Sequence, residues 1–205
     1  MENILTNNEV LLEGRVSEGT SFSHEIYGES FYKFMIKIPR LSDTCDEITV
    51  TVSERLLDGV SLEEDSFVRI TGQFRSYNNY TESGNKLVLT VFARAIENCD
   101  ETSDSPNQIY LNGYLCKEPV YRTTPFGREI ADMLLAVNRQ YGKSDYIPCI
   151  TWGRNSKFAN NLEVGTNLKI WGRIQSRIYK KKIDEENYIE KTAYEVSVSK
   201  MEVVK

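Results

Sequence analysis

From Ile170 to Tyr179 the chain changes character at every second residue. Ile170, Gly172, Ile174, Ser176 and Ile178 form a mainly apolar set, whereas Trp171, Arg173, Gln175, Arg177 and Tyr179 are aromatic, cationic or amide. In an extended strand, residues two apart share a face, so the first set is a predicted core face and the second a predicted outward face. Water alone does not call for rings. Planar rings interleaved with guanidinium groups suit a single-stranded nucleic acid, with rings stacking on bases and cations at phosphates. Upstream, Tyr146 and Trp152 are six apart and fall on one face of a second predicted strand. Aromatics of this kind also coat barrels and subunit interfaces; the cations Arg139, Lys143, Arg154, Arg173 and Arg177 in the same stretch favour the nucleic acid. The run Tyr179-Lys180-Lys181-Lys182-Ile183-Asp184-Glu185-Glu186 is a predicted hairpin tip, with Lys180 either at a phosphate or in water.

The charge distribution supports such a site in one half of the chain. The 205 residues sum to a net charge of -5, but residues 1–105 hold 9 Lys+Arg against 19 Asp+Glu, and residues 106–205 hold 16 against 11. An acidic half therefore accompanies a basic one, and only the second suits a polyanion.

Other chemistries find little to work with. One histidine, His24, and the absence of a P-loop, a G-x-G-x-x-G motif or metal-ligand spacing argue against an enzyme. Asp43, Asp46 and Glu47 read as a solvated loop rather than a metal cluster. Cys45, Cys99, Cys116 and Cys149 have no paired spacing, so zinc and disulfides are not expected, nor is any cofactor. No apolar run reaches the ~18 residues of a membrane-spanning helix, and the N-terminus has no signal-peptide pattern. The expectation is a cytoplasmic protein without a membrane partner.

One pattern is written twice. Asn8-Glu9-Val10-Leu11-Leu12-Glu13-Gly14 is answered by Asn107-Gln108-Ile109-Tyr110-Leu111-Asn112-Gly113, and Val68-Arg69-Ile70-Thr71-Gly72 by Leu168-Lys169-Ile170-Trp171-Gly172. A duplicated unit follows, with residues 1–97 as the first copy, the polar stretch 98–106 as linker and 107–205 as the second copy. Period-two patterning predicts strands near 108–116, 129–139, 145–152, 167–179 and 191–202, and one helix within Ser156–Leu162. The first copy repeats this order, with a helix at Ser53–Leu57 and a last strand at Lys86–Glu97. The predicted class is all-β: two tandem OB-fold barrels of five strands, each with one short helix. Gly113 and Gly172 fall mid-strand, where a small closed sheet must bend.

The second copy resembles the bacterial single-stranded DNA-binding proteins. The shared pieces are Asn107-x-Ile109-x-Leu111-x-Gly113, Glu118-Pro119-Val120-Tyr121-Arg122-Thr123-Thr124-Pro125-Phe126-Gly127, Leu135-Ala136-Val137-Asn138-Arg139-Gln140-Tyr141-Gly142, Ile150-Thr151-Trp152-Gly153-Arg154 and Gly172-Arg173-Ile174-Gln175-Ser176-Arg177. They cover nearly all of residues 107–202 in order. The resemblance implies base stacking by Tyr141, Tyr146, Trp152 and Tyr179, with Arg122, Arg139, Arg154, Arg173 and Arg177 at or beside basic positions near the DNA backbone. Trp171 joins the stacking set by strand parity alone.

Residues 8–97 resemble that family in skeleton only. Aligned on the repeat, Asp46 and Val52 stand where the second copy has Tyr146 and Trp152, so the first copy is expected to support the second or mediate assembly. Tyr77 and Tyr80 are its remaining aromatics for DNA. Two barrels per chain imply a homodimer as a route to the four-barrel count of the family. The family's acidic-tipped tail, which recruits other proteins, has no equivalent after the last predicted strand, so tail-borne partners are not expected. The alternative reading is an accessory module of the primosome type whose aromatic face binds protein.

Overall fold

Both halves carry their period-two alternation into strands. The first half holds β1 (Asn8–Ile26), β2 (Glu29–Pro39), β3 (Cys45–Ser53), β4 (Phe67–Thr81) and β5 (Gly84–Asn98). The second holds β6 (Asn107–Leu115), β7 (Val120–Thr123), β8 (Glu129–Asn138), β9 (Ser144–Trp152), α1 (Arg154–Ala159), β10 (Asn167–Lys182) and β11 (Tyr188–Val203). The structure is a computed structural model that describes residues 6–81, 84–182 and 188–204, with side chains described except at 80, 81, 84–86 and 180–182. Among these residues no helix is long and apolar enough to cross a membrane.

Each half closes on itself by the same route. In the first, β1 pairs with β2, β2 with β3, β3 in parallel with β5, β5 with β4, and β4 with β1. In the second the circuit runs β6, β8, β9, β11, β10 and back to β6. Two five-stranded OB-fold barrels result, joined because β1 also pairs with β6, from Asn8 opposite Leu111 to Leu12 opposite Asn107. The second barrel's first strand is interrupted, and Val120–Thr123 continues it as the separate strand β7 against β8. Pro119, which cannot donate to a ladder, sits at that break. The helix of the first barrel is a single 3-10 turn at Glu54–Leu56, capped by Ser53, and α1 begins two residues before its expected start and ends three before its expected end.

The inward alternates fill both barrels. Leu12, Ile36, Val50, Val52 and Ile70 are fully buried in the first, and Leu111, Leu135, Ile147, Ile170 and Ile174 in the second. The predicted core set of β10 holds only as far as Ile174. Ser176 turns to the first barrel, donating its backbone N–H to Asp46 at 2.8 Å, and Ile178 is 65% exposed where the β10–β11 hairpin leaves the barrel.

The repeated glycines sit where strands touch. A Cβ at Gly172 would lie 2.2 Å from the carbonyl oxygen of Ser197, and one at Gly72 would lie 2.2 Å from that of Phe92. Gly172→Ala is therefore expected to lower stability by about 1–3 kcal/mol, because the backbone must shift to admit the methyl group. A urea midpoint checks this, and a midpoint equal to the parent's would show that the strand crossing is slack.

The two barrels repeat a hydrogen-bonded pair on the strands that meet at the seam. Asn8 exchanges two bonds of 2.8 Å with the backbone of Phe74, and Asn107 exchanges bonds of 2.7 and 2.9 Å with Ile174. Two buried carboxylates clamp the seam between the barrels. Asp46 accepts from Arg40 Nε (3.0 Å), Arg173 Nη1 (2.7 Å) and Ser176 N (2.8 Å), and Asp145 accepts from Arg139 Nε (2.7 Å), Arg75 Nη1 (3.2 Å) and Ser76 N (2.6 Å). Asp46 is thus the counterpart of Asp145, which corrects two expectations. It is not part of a solvated loop, since its side chain is 2% exposed. Nor is it the counterpart of Tyr146: the register sets Glu47 and Ser53 against Tyr146 and Trp152, while Val52 lies in the core.

Candidate nucleic-acid interface

The outer face of the second barrel is built on β8 and β9. Trp152 stands opposite Ile130 and Tyr146 opposite Ala136 on the adjacent strand, so the two rings share one face, about 20 Å apart along the strand at ~3.3 Å per residue. Inward neighbours Ile147 and Cys149 anchor β9 in the core, which leaves Tyr146 47% and Trp152 37% exposed. At the β8–β9 connection Tyr141 occupies a turn with φ 62°, a left-handed conformation seldom adopted by a tyrosine, and its side chain is 90% exposed. Backbone strain of this kind gathers at functional positions. Tyr179 is exposed on β10, just before the hairpin residues.

Among the described residues Lys143, Arg154 and Arg177 are exposed and make no ion pair, which leaves them available to an anion. Gly153, with φ 54°, makes the turn that sets Arg154 at the first position of α1, two residues after Trp152. Three other predicted phosphate contacts are otherwise engaged. Arg139 is held by Asp145 and by the Ser76 carbonyl (2.7 Å), and Arg173 by Asp46 and Gln175, so both are seam residues. Arg122 pairs with Asp132 at 2.8 Å on the exposed β7–β8 surface. The side chain of Lys180 lies outside the described residues, as does that of Tyr80.

Trp171 belongs to a different patch. Its ring meets Tyr110 at 5.3 Å between centroids, and Lys200 Nζ lies 4.6 Å above it. This cluster spans β6, β10 and β11 at the end of the barrel near the seam.

Sequence reasoning passed over Phe126. The Thr124–Arg128 turn, closed by Gly127 N donating to Thr124 O at 2.8 Å, presents Phe126 93% exposed, and together with Arg128 it flanks a pocket floored by Trp152. The signal was present, because Phe126 belongs to the shared piece Glu118–Gly127. Strand parity does not reach a turn residue, so it went unassigned.

Residues 106–204 match the Single-strand binding protein family. A Staphylococcus aureus protein named single-stranded DNA-binding protein 1 is 40% identical over 80 residues, covering 36% of this chain and 48% of its own. Bacillus subtilis single-stranded DNA-binding protein A is 39% identical over 80 residues, covering 36% of this chain and 46% of its own. The chain thus spans about half the length of these curated relatives. Over nearly the whole chain the fold resembles the wild-type single-stranded DNA binding protein from Thermus aquaticus, with a TM-score of 0.74, 18% identity, and coverage of 97% of this chain and 93% of that one.

Proposed function

Because residues 106–204 match the Single-strand binding protein family, we propose that the chain binds single-stranded DNA without sequence preference, through its second barrel, in replication, recombination or repair. The observation that carries this reading is the exposure of Tyr146 and Trp152 on one face of β9, with unpaired cations at both ends. Tyr141, Tyr146, Trp152, Tyr179 and Phe126 stack on bases; Lys143, Arg154 and Arg177 meet phosphates. Duplex DNA, whose bases stack on one another internally, offers these rings nothing. The role is one of binding rather than catalysis, in the cytoplasm.

Phosphate pairing releases counterions, so affinity for an oligothymidylate is expected to fall with salt at a slope of about -0.7 per phosphate contact. Equilibrium titrations at several salt concentrations test this, with duplex of the same length as competitor. A salt-independent affinity, or equal binding of duplex, would contradict the reading and favour a protein-binding face.

Self-association fits the second patch. Tyr110 and Trp171, capped by Lys200, place two large rings on the outer sheet where β1 and β6 join the barrels. A homodimer through this sheet brings four barrels together. Light scattering on Trp171→Ala checks it, a monomer being the expected result.

A further inference from the structure

The repeat sets a serine on β4 after Gly72, at Ser76, and another on β10 after Gly172, at Ser176, and each reaches into the other barrel. Each side-chain oxygen accepts a backbone N–H from across the seam. Ser76 Oγ takes that of Tyr146 at 2.7 Å, and Ser176 Oγ takes that of Glu47 at 3.0 Å. The serine backbones add further bonds. Ser76 N donates to Asp145 at 2.6 Å while the Ser76 carbonyl accepts from Arg139 at 2.7 Å. In the same way Ser176 N donates to Asp46 at 2.8 Å while the Ser176 carbonyl accepts from Arg40 at 2.9 Å. The two barrels hold one another by a reciprocal lock.

The residues held by the two halves of the lock differ in chemistry. Ser176 holds Glu47, whose carboxylate pairs with Lys37 at 3.3 Å and has neither a ring for a base nor a positive charge for a phosphate. Ser76 holds Tyr146, a ring of the outer face of β9. Tyr146 lies near the start of that strand, and the parallel ladder from β9 to β11 covers only Cys149 and Ile150. Upstream of this ladder the Tyr146 N–H finds its acceptor in the first barrel. The adjoining turn is tied to the same point. Arg139 N donates to Lys143 O at 2.7 Å, closing the turn that carries Tyr141, and the Arg139 guanidinium rests on Asp145 and the Ser76 carbonyl.

Ser76 itself is 6% exposed, and it does not line the cavity of about 790 Å³ that opens between the barrels beside Arg75, Arg139 and Asp145. A hydroxyl so placed acts on a bound strand only through the residue it holds. Removing it leaves a backbone N–H without its acceptor, a loss that the start of β9 relieves by shifting or by admitting water. The Tyr146 ring moves with the backbone that carries it.

We propose that Ser76 is a positioning residue for single-strand binding: the first barrel fixes the base-stacking ring of Tyr146 by holding its backbone from across the seam. The inference rests on the second-barrel reading and gives the first barrel a part in it.

The test uses the full chain and an oligothymidylate of about 15 nucleotides, within the reach of one OB-fold. Ser76→Ala deletes the acceptor of the Tyr146 N–H and leaves both backbone bonds of residue 76 in place. It is expected to weaken binding at least about fivefold in the parent and to change the affinity of Tyr146→Ala by less than about twofold, because partners in one hydrogen-bond network are not additive. A general loosening of the fold would instead cost the same factor in both backgrounds. Hydrogen exchange reads the same bond directly: the Tyr146 amide should be protected in the parent and exchange faster in Ser76→Ala. A Tyr146 amide that is unprotected in the parent, or an equal cost of Ser76→Ala in both backgrounds, overturns the positioning role. So does a Ser76→Ala variant that binds as the parent does while Tyr146→Ala weakens binding, and the second-barrel reading then stands. If Tyr146→Ala binds as the parent does, or the parent binds no oligothymidylate, the second-barrel reading fails and the positioning role fails with it.

Discussion

Asp145→Ala is expected to cost about 3–5 kcal/mol of folding stability, the range for breaking a buried ion pair by removing one partner. The side chain is 1% exposed and serves three donors from both barrels: Arg139, Arg75 and the backbone N–H of Ser76. Its removal leaves the Ser76 N–H with no acceptor from this residue. It also leaves two guanidinium groups, each about a quarter exposed, repelling one another without a counter-charge. A domain with a typical total of about 5–15 kcal/mol loses a large share of it. Asp46→Ala should match this loss, because Arg40, Arg173 and Ser176 surround Asp46 in the same way. Denaturant unfolding of both variants checks the prediction. A cost under about 1 kcal/mol at either site would mean that the seam does not depend on its carboxylates.

Trp152→Ala is expected to weaken single-strand binding by about 5- to 150-fold while leaving the fold intact. A base stacked on an aromatic ring is worth about 1–3 kcal/mol, and each 1.4 kcal/mol is tenfold. The ring is 37% exposed on the outer face of β9, so its loss opens no cavity in the core. Ser53→Ala, at the equivalent first-barrel position, should leave affinity within about twofold, since a hydroxyl there offers no ring to a base. Val52→Ala is a different experiment: Val52 is fully buried, so its truncation reports on core packing. Direct titration with a fluorescent oligothymidylate separates these cases. Equal affinity losses at Trp152 and Ser53 would refute the division of labour between the barrels.

Much of this architecture was legible in the sequence because it is written in period two and written twice. The glycines at 14, 72, 113 and 172 fall where strands touch, so their spacing carried the barrel closure. Parity also selected Tyr146 and Trp152, whose shared face depends only on strand geometry. The positions whose surroundings the sequence hid depend on long-range pairing. Arg139 looks like any surface cation until the fold brings Ser76 and Arg75 to its side, and Asp46 looks like a loop acid until Ser176 arrives from the other barrel. The one-residue offset that set Asp46 against Tyr146 moved every side chain of β3 to the wrong face, the usual consequence of a register slip. Phe126 and Tyr141 sit on turns, where no periodicity exists to read. The lining of the cavity at the seam was hidden for a related reason: Lys33, Phe92, Arg94 and Lys143 come from three separate segments and meet only across the seam.

Intrinsic tryptophan fluorescence, titrated with an oligothymidylate and with duplex DNA at low and high salt, tests the central claim most directly. Trp152 and Trp171 are the two reporters, and only Trp152 lies on the proposed base-stacking face. Stacking predicts quenching by the single strand, weakened by salt, absent with duplex and lost in Trp152→Ala. Quenching that persists in Trp152→Ala, or none with either nucleic acid, would contradict the assignment of DNA to the aromatic face of the second barrel.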